Sequence, residues 1–210
     1  PSYPVHFKEK PLTRLMLGRS YWDLNIKVDL RVYPGVASST TGGGGSFTLN
    51  FAGTGAGGGT GNLQSTGQWA MAHQAFTVST TTDQPVSIII GLNDDLTGLE
   101  KHEKRMQRPP RISKRFTLNK GSIGQNHTYT VPYGGLIYAS TAEDNITLTL
   151  SNTIKAPWYK LFQDGTEKWI NPIDSPAPLG EIESKTFIYT SAKKNLQATN
   201  YSDVKKFAEE

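Results

Sequence analysis

The chain has 210 residues, a formal net charge of +4 and no cysteine. It is long enough for one large domain with its own core, and it has no disulfide, thiolate nucleophile or cysteine-ligated zinc. No apolar run approaches the ~20 residues that a membrane-spanning helix needs, so we expect a soluble segment without membrane contact.

The first predicted strand covers residues 24–33, in which apolar and polar side chains alternate without interruption. Such alternation is typical of a half-buried strand in an antiparallel sheet. Further short strands are predicted at 46–51, 74–80, 86–92, 112–118, 128–131, 135–140, 145–150 and 186–190. Their spacing and the turn residues between them predict an all-β fold, an antiparallel β-sandwich of the jelly-roll-like kind.

Only the end of the chain favours helices. They are predicted at residues 191–197 and 202–210, the second with Ser202 or Asp203 as its N-cap. Because the last helix has not ended at Glu210, we expect the chain to be a piece of a larger protein. We divide it into an N-terminal β region (1–85, with a glycine-rich loop at 40–61), a β-sandwich part (86–190) and a helical tail (191–210).

The glycine-rich loop contains Gly53, Gly55 and Gly58, which fit the G-x-G-x-x-G spacing of dinucleotide sites. A dinucleotide site also needs a following helix and an acidic residue about 20 positions on. Neither is present, because Gly67 weakens a helix and the first acidic residue after the loop is Asp83. We therefore interpret this segment as a mobile loop or hairpin tip without nucleotide binding.

No catalytic zinc site is recognisable in the chain. His102 and Glu103 begin like the motif H-E-x-x-H, but Met106 occupies the place of the second histidine. Zinc needs both imidazoles on one face of a helix, so we expect no metal, no other cofactor and no catalytic residue here. Glu181 and Glu183 would share a face of an extended strand, but the sequence shows no partner base or nucleophile for hydrolysis.

Three aromatic residues are candidates for contacting a glycan. Trp158, Tyr159 and Trp169 flank a turn at Asp164 and Gly165. Exposed aromatic rings can pack on the apolar faces of sugars and anchor an interface. In a β-sandwich, however, such residues more often belong to the core.

A basic segment is the second candidate. Residues 101–115 carry seven lysines or arginines and one glutamate, and from this segment we assign Arg108 and Arg111 to glycan contact. Clustered positive charge attracts anionic partners such as sulfated or sialylated glycans, although charge runs are more often solvated loops. No aromatic residue is interleaved to stack a base, so we expect no nucleic acid partner.

The second half of the chain resembles a known family in five segments. They are IIIGLNDDLTG (88–98), RPPRIS (108–113), VPYGGLIYAS (131–140), KAPWYKLFQDGTEKW (155–169) and SPAPLGEIESKTFIYT (175–190). In this order they are similar to the β-rich front part of enhancin-like zinc metallopeptidases, the M-60 class. The segment LMLGRSYWDLNIKVDLRVYPG (15–35) also resembles the group of secreted mucin-degrading lipoproteins and accessory colonization factor D proteins of enteric bacteria.

The resemblance implies that the parent protein is a secreted or surface zinc metallopeptidase that degrades mucin-type glycoproteins. It is also compatible with a lipid anchor on the parent protein. Family members carry H-E-x-x-H and its zinc in a helical part that follows this β region. This chain is therefore expected to be inactive alone and to support binding of the glycoprotein substrate. The resemblance also implies that Ala156-Pro157 and Pro176–Pro178 are ordered loops near the peptidase cleft.

Two other functions stay open at this point. The chain could be a stand-alone glycan-binding adhesion module, which would use the aromatic and basic residues without an attached enzyme. It could also be a structural β-sandwich subunit of an assembly, in which the glycine-rich loop and edge strands would make contacts.

Overall fold

The computed structural model describes residues 35–40, 44–49, 63–91, 113–141, 146–161, 166–184 and 187–209. Within these ranges the strands are β1 (Gly44–Leu49), β2 (Gln64–Ala70), β3 (Phe76–Thr80), β4 (Val86–Ile90), β5 (Lys114–Leu118), β6 (His127–Tyr129), β7 (Gly135–Ser140), β8 (Ile146–Ser151), β9 (Ile154–Lys155), β10 (Trp158–Leu161), β11 (Glu167–Asn171), β12 (Leu179–Glu183) and β13 (Ile188–Ala192). The helices of the same ranges are α1 (Lys193–Gln197) and α2 (Tyr201–Glu209).

Two antiparallel sheets form the sandwich. The first sheet has the strand order β1-β8-β3-β6, and the central sheet has the order β5-β4-β7-β2-β9. Strand β8 shows the underlying pattern, because Ile146, Leu148 and Leu150 are buried while Thr147 and Thr149 between them are half-buried. Successive side chains of a strand point to opposite faces, so this alternation directs one apolar row into the core.

The main core lies between the first sheet and the central sheet. Its buried members are Ala70, Phe76, Val78, Val86, Ile88, Ile90, Leu118, Val131, Ile137, Ala139, Ile146, Leu148 and Leu150. Phe116 and Tyr129 pack against this cluster with their rings stacked at a centroid distance of 4.1 Å. Removal of this apolar surface from water is the main favourable contribution to folding of the sandwich.

The central sheet is covered on both faces. Strand β7 is buried at every position, with Ile137 and Ala139 in the main core and Leu136 and Tyr138 in a second cluster beside Trp69. A strand buried on both faces needs no polar alternation. This explains why β7 has a nearly continuous apolar sequence.

A third sheet lies against the second cluster. Its strand order is β11-β10-β12-β13, with β10 and β12 parallel and the two outer pairings antiparallel. Helices α1 and α2 pack on this sheet through Leu196, Tyr201 and Val204, which join Tyr159 and Ile182 in a third cluster. The third sheet therefore has its own small core in addition to its contact with the central sheet.

The prediction of an all-β antiparallel sandwich with a short helical tail is confirmed. Strands β1, β3 to β8 and β13 overlap the predicted strands, while β2 and β9 to β12 were missed by the sequence analysis. The predicted strand at 24–33 lies outside the described residues, as do residues 41–43 and 50–61 of the glycine-rich loop. The predicted division after residue 85 stays a prediction, although β2 and β3 before it pair with β7, β8 and β9 after it.

The start of α2 differs from the predicted one. The side-chain oxygen of Asn200 accepts a hydrogen bond from the Ser202 backbone N–H at 3.3 Å, and the Asn200 carbonyl accepts from Asp203 at 3.1 Å. Asn200 therefore caps the helix, and Ser202 and Asp203 lie in its first turn. Asparagine is among the most favourable residues at this position because its side chain reaches the free N–H groups of the first turn.

Candidate functional site

Trp158 lies in the interior, in strand β10 between the central sheet and the third sheet. Its side chain is 9% exposed, and its indole N–H donates to Oε2 of Glu183 at 2.9 Å. The Lys160 ammonium donates to the other oxygen of Glu183 at 2.7 Å and lies 5.5 Å from the centre of the indole ring. The polar edge of Trp158 is thus satisfied within the protein, which favours a supporting role for this side chain over direct contact with a ligand.

Tyr159 points to the other side of the third sheet and joins an aromatic cluster with Trp169 and Tyr201. The ring centroids lie 5.2 Å apart for Tyr159 and Trp169, 4.4 Å for Tyr159 and Tyr201, and 5.4 Å for Trp169 and Tyr201. Tyr159 is buried, whereas Trp169 and Tyr201 are half-buried. Trp169 and Tyr201 therefore present aromatic surface to solvent on a buried tyrosine base, and we call the three residues the aromatic cluster.

The tyrosines of the aromatic cluster stay neutral at ordinary pH. Burial raises the pKa of the Tyr159 hydroxyl above its usual range, and the neighbouring Glu167 carboxylate adds to this rise. Burial also raises the pKa of Tyr201. A neutral phenol keeps its proton, so the Tyr201 hydroxyl can donate, as it does to the Leu196 carbonyl at 2.9 Å.

The surface around Trp169 combines apolar and charged groups. Trp169 lies in β11, an edge strand of the third sheet, and its exposed neighbours Lys168 and Ile170 point to the opposite face of that strand. Glu167 at the start of β11 is also exposed. A half-buried indole with an exposed carboxylate two residues before it, on the same face of the strand, can pack on the C–H face of a sugar ring while the carboxylate binds a sugar hydroxyl, since aromatic side chains offer rigid apolar area at small entropic cost.

A second set of polar side chains, centred on Glu181, joins the third sheet to the central sheet. Glu181 in β12 accepts hydrogen bonds from the Ser65 hydroxyl of β2 and, at 2.5 Å, from the Tyr138 hydroxyl of β7. The Tyr138 oxygen also lies 3.3 Å from the Thr190 hydroxyl of β13. Burial raises the pKa of the Glu181 carboxyl from 4.5 to about 7, while the two hydroxyls oppose the rise and the Glu183 carboxylate adds to it.

Sequence reasoning missed the partners of the two glutamates. Glu181 and Glu183 lie two residues apart in β12, a strand that the sequence analysis did not predict, and both are buried and hydrogen-bonded. Their partners come from strands far away in the sequence, the Ser65 hydroxyl being 116 residues from Glu181. In the sequence, the two glutamates alternate with an apolar residue. This pattern indicates that both glutamates lie on the same face of a strand, but it does not show which residues pack on that face.

The loop that includes Pro176–Pro178 is held at several points. Its Pro176 carbonyl accepts from the Ser38 N–H at 2.9 Å, and the Ala177 N–H donates to Lys155 at 3.2 Å. The Lys193 ammonium donates to the carbonyl of Ser175 at 3.0 Å. These contacts give the loop an ordered conformation, and its position near a peptidase cleft stays a prediction.

Several predicted features lie outside the described residues, namely Arg108, Arg111, the H-E dipeptide at 102–103 and the turn at 164–165. A glycan contact by Arg108 or Arg111 therefore stays a prediction. Across the described ranges, no group of three histidine, cysteine, aspartate or glutamate side chains is placed to hold a metal ion. Glu181 and Glu183 do not fit a zinc site either, because their oxygens already accept hydrogen bonds from two hydroxyls, an indole N–H and an ammonium.

In the part of the chain that the structure describes, no helix combines the length and apolar character needed to cross a membrane.

Comparison with protein families gives two matches. Residues 24–155 match the model described as the N-terminal domain of M60-like peptidases. Residues 1–25, which precede the described part, match the model of the AcfD helical domain.

Comparison with known proteins gives close relatives and a similar fold. The accessory colonization factor AcfD of Vibrio cholerae is 53% identical over 100% of this chain and 14% of its own length. An AcfD homolog of Escherichia coli is 47% identical over 96% of this chain and 13% of its own length. The structure of IMPa from Pseudomonas aeruginosa in complex with an O-glycopeptide has a similar fold, with a TM-score of 0.54 and 15% identity over 90% of this chain and 21% of that chain.

The chain thus spans about one seventh of the length of these two curated relatives, which are 14% and 13% covered. The resemblance to enhancin-like peptidases of the M-60 class is confirmed. A family model covering more than half of the chain, together with a relative that is 53% identical along all of it, decides the assignment. The chain belongs to the family of N-terminal domains of M60-like peptidases.

Proposed function

We propose that this chain is the non-catalytic β domain of a zinc metallopeptidase that degrades mucin-type glycoproteins, and that it supports binding of the glycosylated substrate. The observation that carries this proposal is the aromatic cluster at the edge of the third sheet. There Trp169 and Tyr201 are half-buried, and Glu167, which lies two residues before Trp169 on the same face of β11, is exposed. This combination supplies both apolar contact and hydrogen-bonding groups for a sugar attached to a polypeptide.

The comparisons support the substrate class. The chain belongs to a family of peptidase N-terminal domains, and the similar fold of IMPa was determined with an O-glycopeptide bound to that protein. A peptidase that cleaves a glycosylated chain must accommodate sugars beside the scissile bond. A rigid β domain next to the catalytic part is suited to provide such a surface.

Catalysis is assigned to residues outside this chain. Zinc in such peptidases would polarise the scissile carbonyl and activate water. The described residues do not offer a set of zinc ligands, so the chain contributes orientation and binding of the substrate to that reaction.

We also propose a secreted or surface location for the parent protein. The relative from Vibrio cholerae carries the name accessory colonization factor, and one from Escherichia coli is named as a lipoprotein. Mucin-type substrates are extracellular, so the enzyme that degrades them must reach the outside of the cell.

Binding of an O-glycosylated mucin peptide to the purified chain tests the proposal. We expect the glycosylated peptide to bind at least about 10-fold more tightly than the same peptide without sugar, and Trp169→Ala to remove this preference, since truncation of an aromatic anchor typically costs 1 to 2 kcal/mol or more. Tyr189→Ala is the matched control, because Tyr189 is an exposed aromatic residue (55% exposed) on the opposite edge strand. Equal binding of the two peptides, or equal losses from both substitutions, would refute the proposal.

A further inference from the structure

The Glu181 carboxyl connects four strands that belong to two different sheets. It extends from β12 of the third sheet and meets the hydroxyls of Ser65 in β2 and Tyr138 in β7 of the central sheet. Tyr138 in turn lies 3.3 Å from Thr190 in β13. These four side chains therefore lie in the contact between the two sheets, beside the apolar side chains of the second cluster.

The carboxyl is buried without a cation among the described residues that contact it. Glu181 is 0% exposed, and its two oxygens are engaged by hydroxyls. The charged groups nearby belong to the strand pair β10 and β12, where Lys160 binds Glu183 and leaves that carboxylate as the charged neighbour of Glu181. An ionised carboxylate removed from water and facing a second carboxylate is unfavourable, so the surroundings favour the protonated acid.

The groups that face Glu181 from the neighbouring strands do not reverse this preference. Ser65 and Thr190 do not titrate in the ordinary range, and burial holds the pKa of the Tyr138 hydroxyl well above its usual value. Trp158 lies opposite Glu181 in the parallel pairing of β10 with β12, and its indole is neutral. The Ser65 and Tyr138 hydroxyls stabilise the ionised form in part, which leaves the pKa of Glu181 at about 7.

We propose that Ser65, Tyr138, Glu181 and Thr190 form a pH-responsive latch that holds the third sheet against the central sheet when Glu181 is protonated and weakens when it ionises. We call these four residues the Glu181 latch. The third sheet carries the aromatic cluster, so the latch would control how firmly that surface is held. The latch depends only on the contacts of the buried carboxyl, so its failure would leave the proposed glycoprotein binding untouched.

The direction of the pH effect follows from linkage. The pKa of Glu181 is higher in the folded protein, about 7, than its ordinary value of 4.5. The stabilisation is therefore complete below about pH 4.5 and is lost progressively as the pH rises through 7.

Native-state hydrogen exchange of the 210-residue chain at pH 5 and pH 8, corrected for the intrinsic exchange rates, tests the latch. When the pH rises from 5 to 8, we expect the protection of the β12 and β13 amides to fall on the order of 10- to 100-fold more than that of the β3 and β8 amides. The reason is that each unit of pKa shift corresponds to a factor of ten in the opening equilibrium. Glu181→Gln, which keeps the shape without the charge, should abolish this difference. Asp174→Asn is the control, because it removes an exposed carboxylate from the loop before β12 and should preserve the difference.

Two results would overturn the latch: equal pH dependence of the two sets of amides in the wild-type chain, or an unchanged difference in Glu181→Gln. Should that variant not fold, a ¹³C NMR titration of the glutamate carboxyls of the wild-type chain decides the question. A carboxyl that titrates above about pH 6 supports the latch, since an ordinary glutamate titrates near 4.3. If no glutamate carboxyl has a titration midpoint above about pH 6, the latch is contradicted.

Discussion

Gly67 and Trp158 approach so closely that a Cβ atom on Gly67 would lie 2.5 Å from Cε3 of the indole ring. Gly67 also has a positive φ of 61°, and its carbonyl accepts from Ala156 at 3.0 Å and from the Asn171 side chain at 2.8 Å. Gly67 therefore sets how closely β2 of the central sheet approaches Trp158, the first residue of β10, and Asn171, the last residue of β11. The close approach of the two sheets depends on the missing side chain.

Gly67→Ala should strongly destabilise the chain. The left-handed conformation costs an alanine about 1 to 2 kcal/mol, and forcing a methyl group into the packed contact costs about 1 to 3 kcal/mol more. Gly121→Ala is the matched control, because Gly121 has a φ of 87° but no heavy atom within 4 Å of the added Cβ. Urea unfolding of both variants should show a clearly larger loss for Gly67→Ala, and equal losses would contradict the close contact.

Trp158→Phe tests whether the indole N–H stabilises the buried Glu183. Removing the donor leaves one carboxylate oxygen without its partner, which typically costs about 1 to 3 kcal/mol. A double-mutant cycle with Glu183→Gln should give a coupling free energy of about 0.5 to 3 kcal/mol, as measured for residues in one network. Additive losses in the unfolding free energy would show that the hydrogen bond between the two side chains contributes nothing.

Tyr138→Phe should move the pH-dependent loss of stability to higher pH. The Tyr138 hydroxyl stabilises ionised Glu181, so its removal raises the pKa of Glu181 beyond about 7, and the loss of stability extends to higher pH. We expect the variant to lose more stability at pH 8 than at pH 5, by about 1 kcal/mol for a hydrogen bond of ordinary strength. Thermal unfolding across this range measures the effect, and an equal loss at both pH values would contradict the assigned role of the hydroxyl.

The sandwich was predictable from sequence where one face of a strand is buried. In β8 the alternation of Ile146, Leu148 and Leu150 with threonines marks the strand directly. Strand β2 was missed because it is buried on both faces and carries polar residues that are satisfied inside. Thr66 donates to the Ile137 carbonyl at 2.7 Å, and the side chain of Gln68 accepts from Thr153 at 2.9 Å.

The site was less predictable than the fold. Trp158 and Trp169 flank one turn in the sequence, yet Trp158 lies between two sheets and Trp169 reaches the surface. Local sequence does not reveal which face of a strand a neighbouring sheet will cover, because that depends on contacts across the chain. The partners of Glu181 were hidden for the same reason, since Tyr138 is 43 residues away in sequence.

The indole N–H signals of the tryptophans give the most direct test of the proposed substrate binding. The chain has four tryptophans, of which Trp69 and Trp158 are buried and Trp169 belongs to the aromatic cluster. On titration with an O-glycosylated mucin peptide, we predict that the Trp169 indole signal shifts in a saturable way while those of Trp69 and Trp158 stay in place. An unchanged Trp169 signal at saturating peptide, or the same shift with the unglycosylated peptide, would contradict the proposed role of this domain.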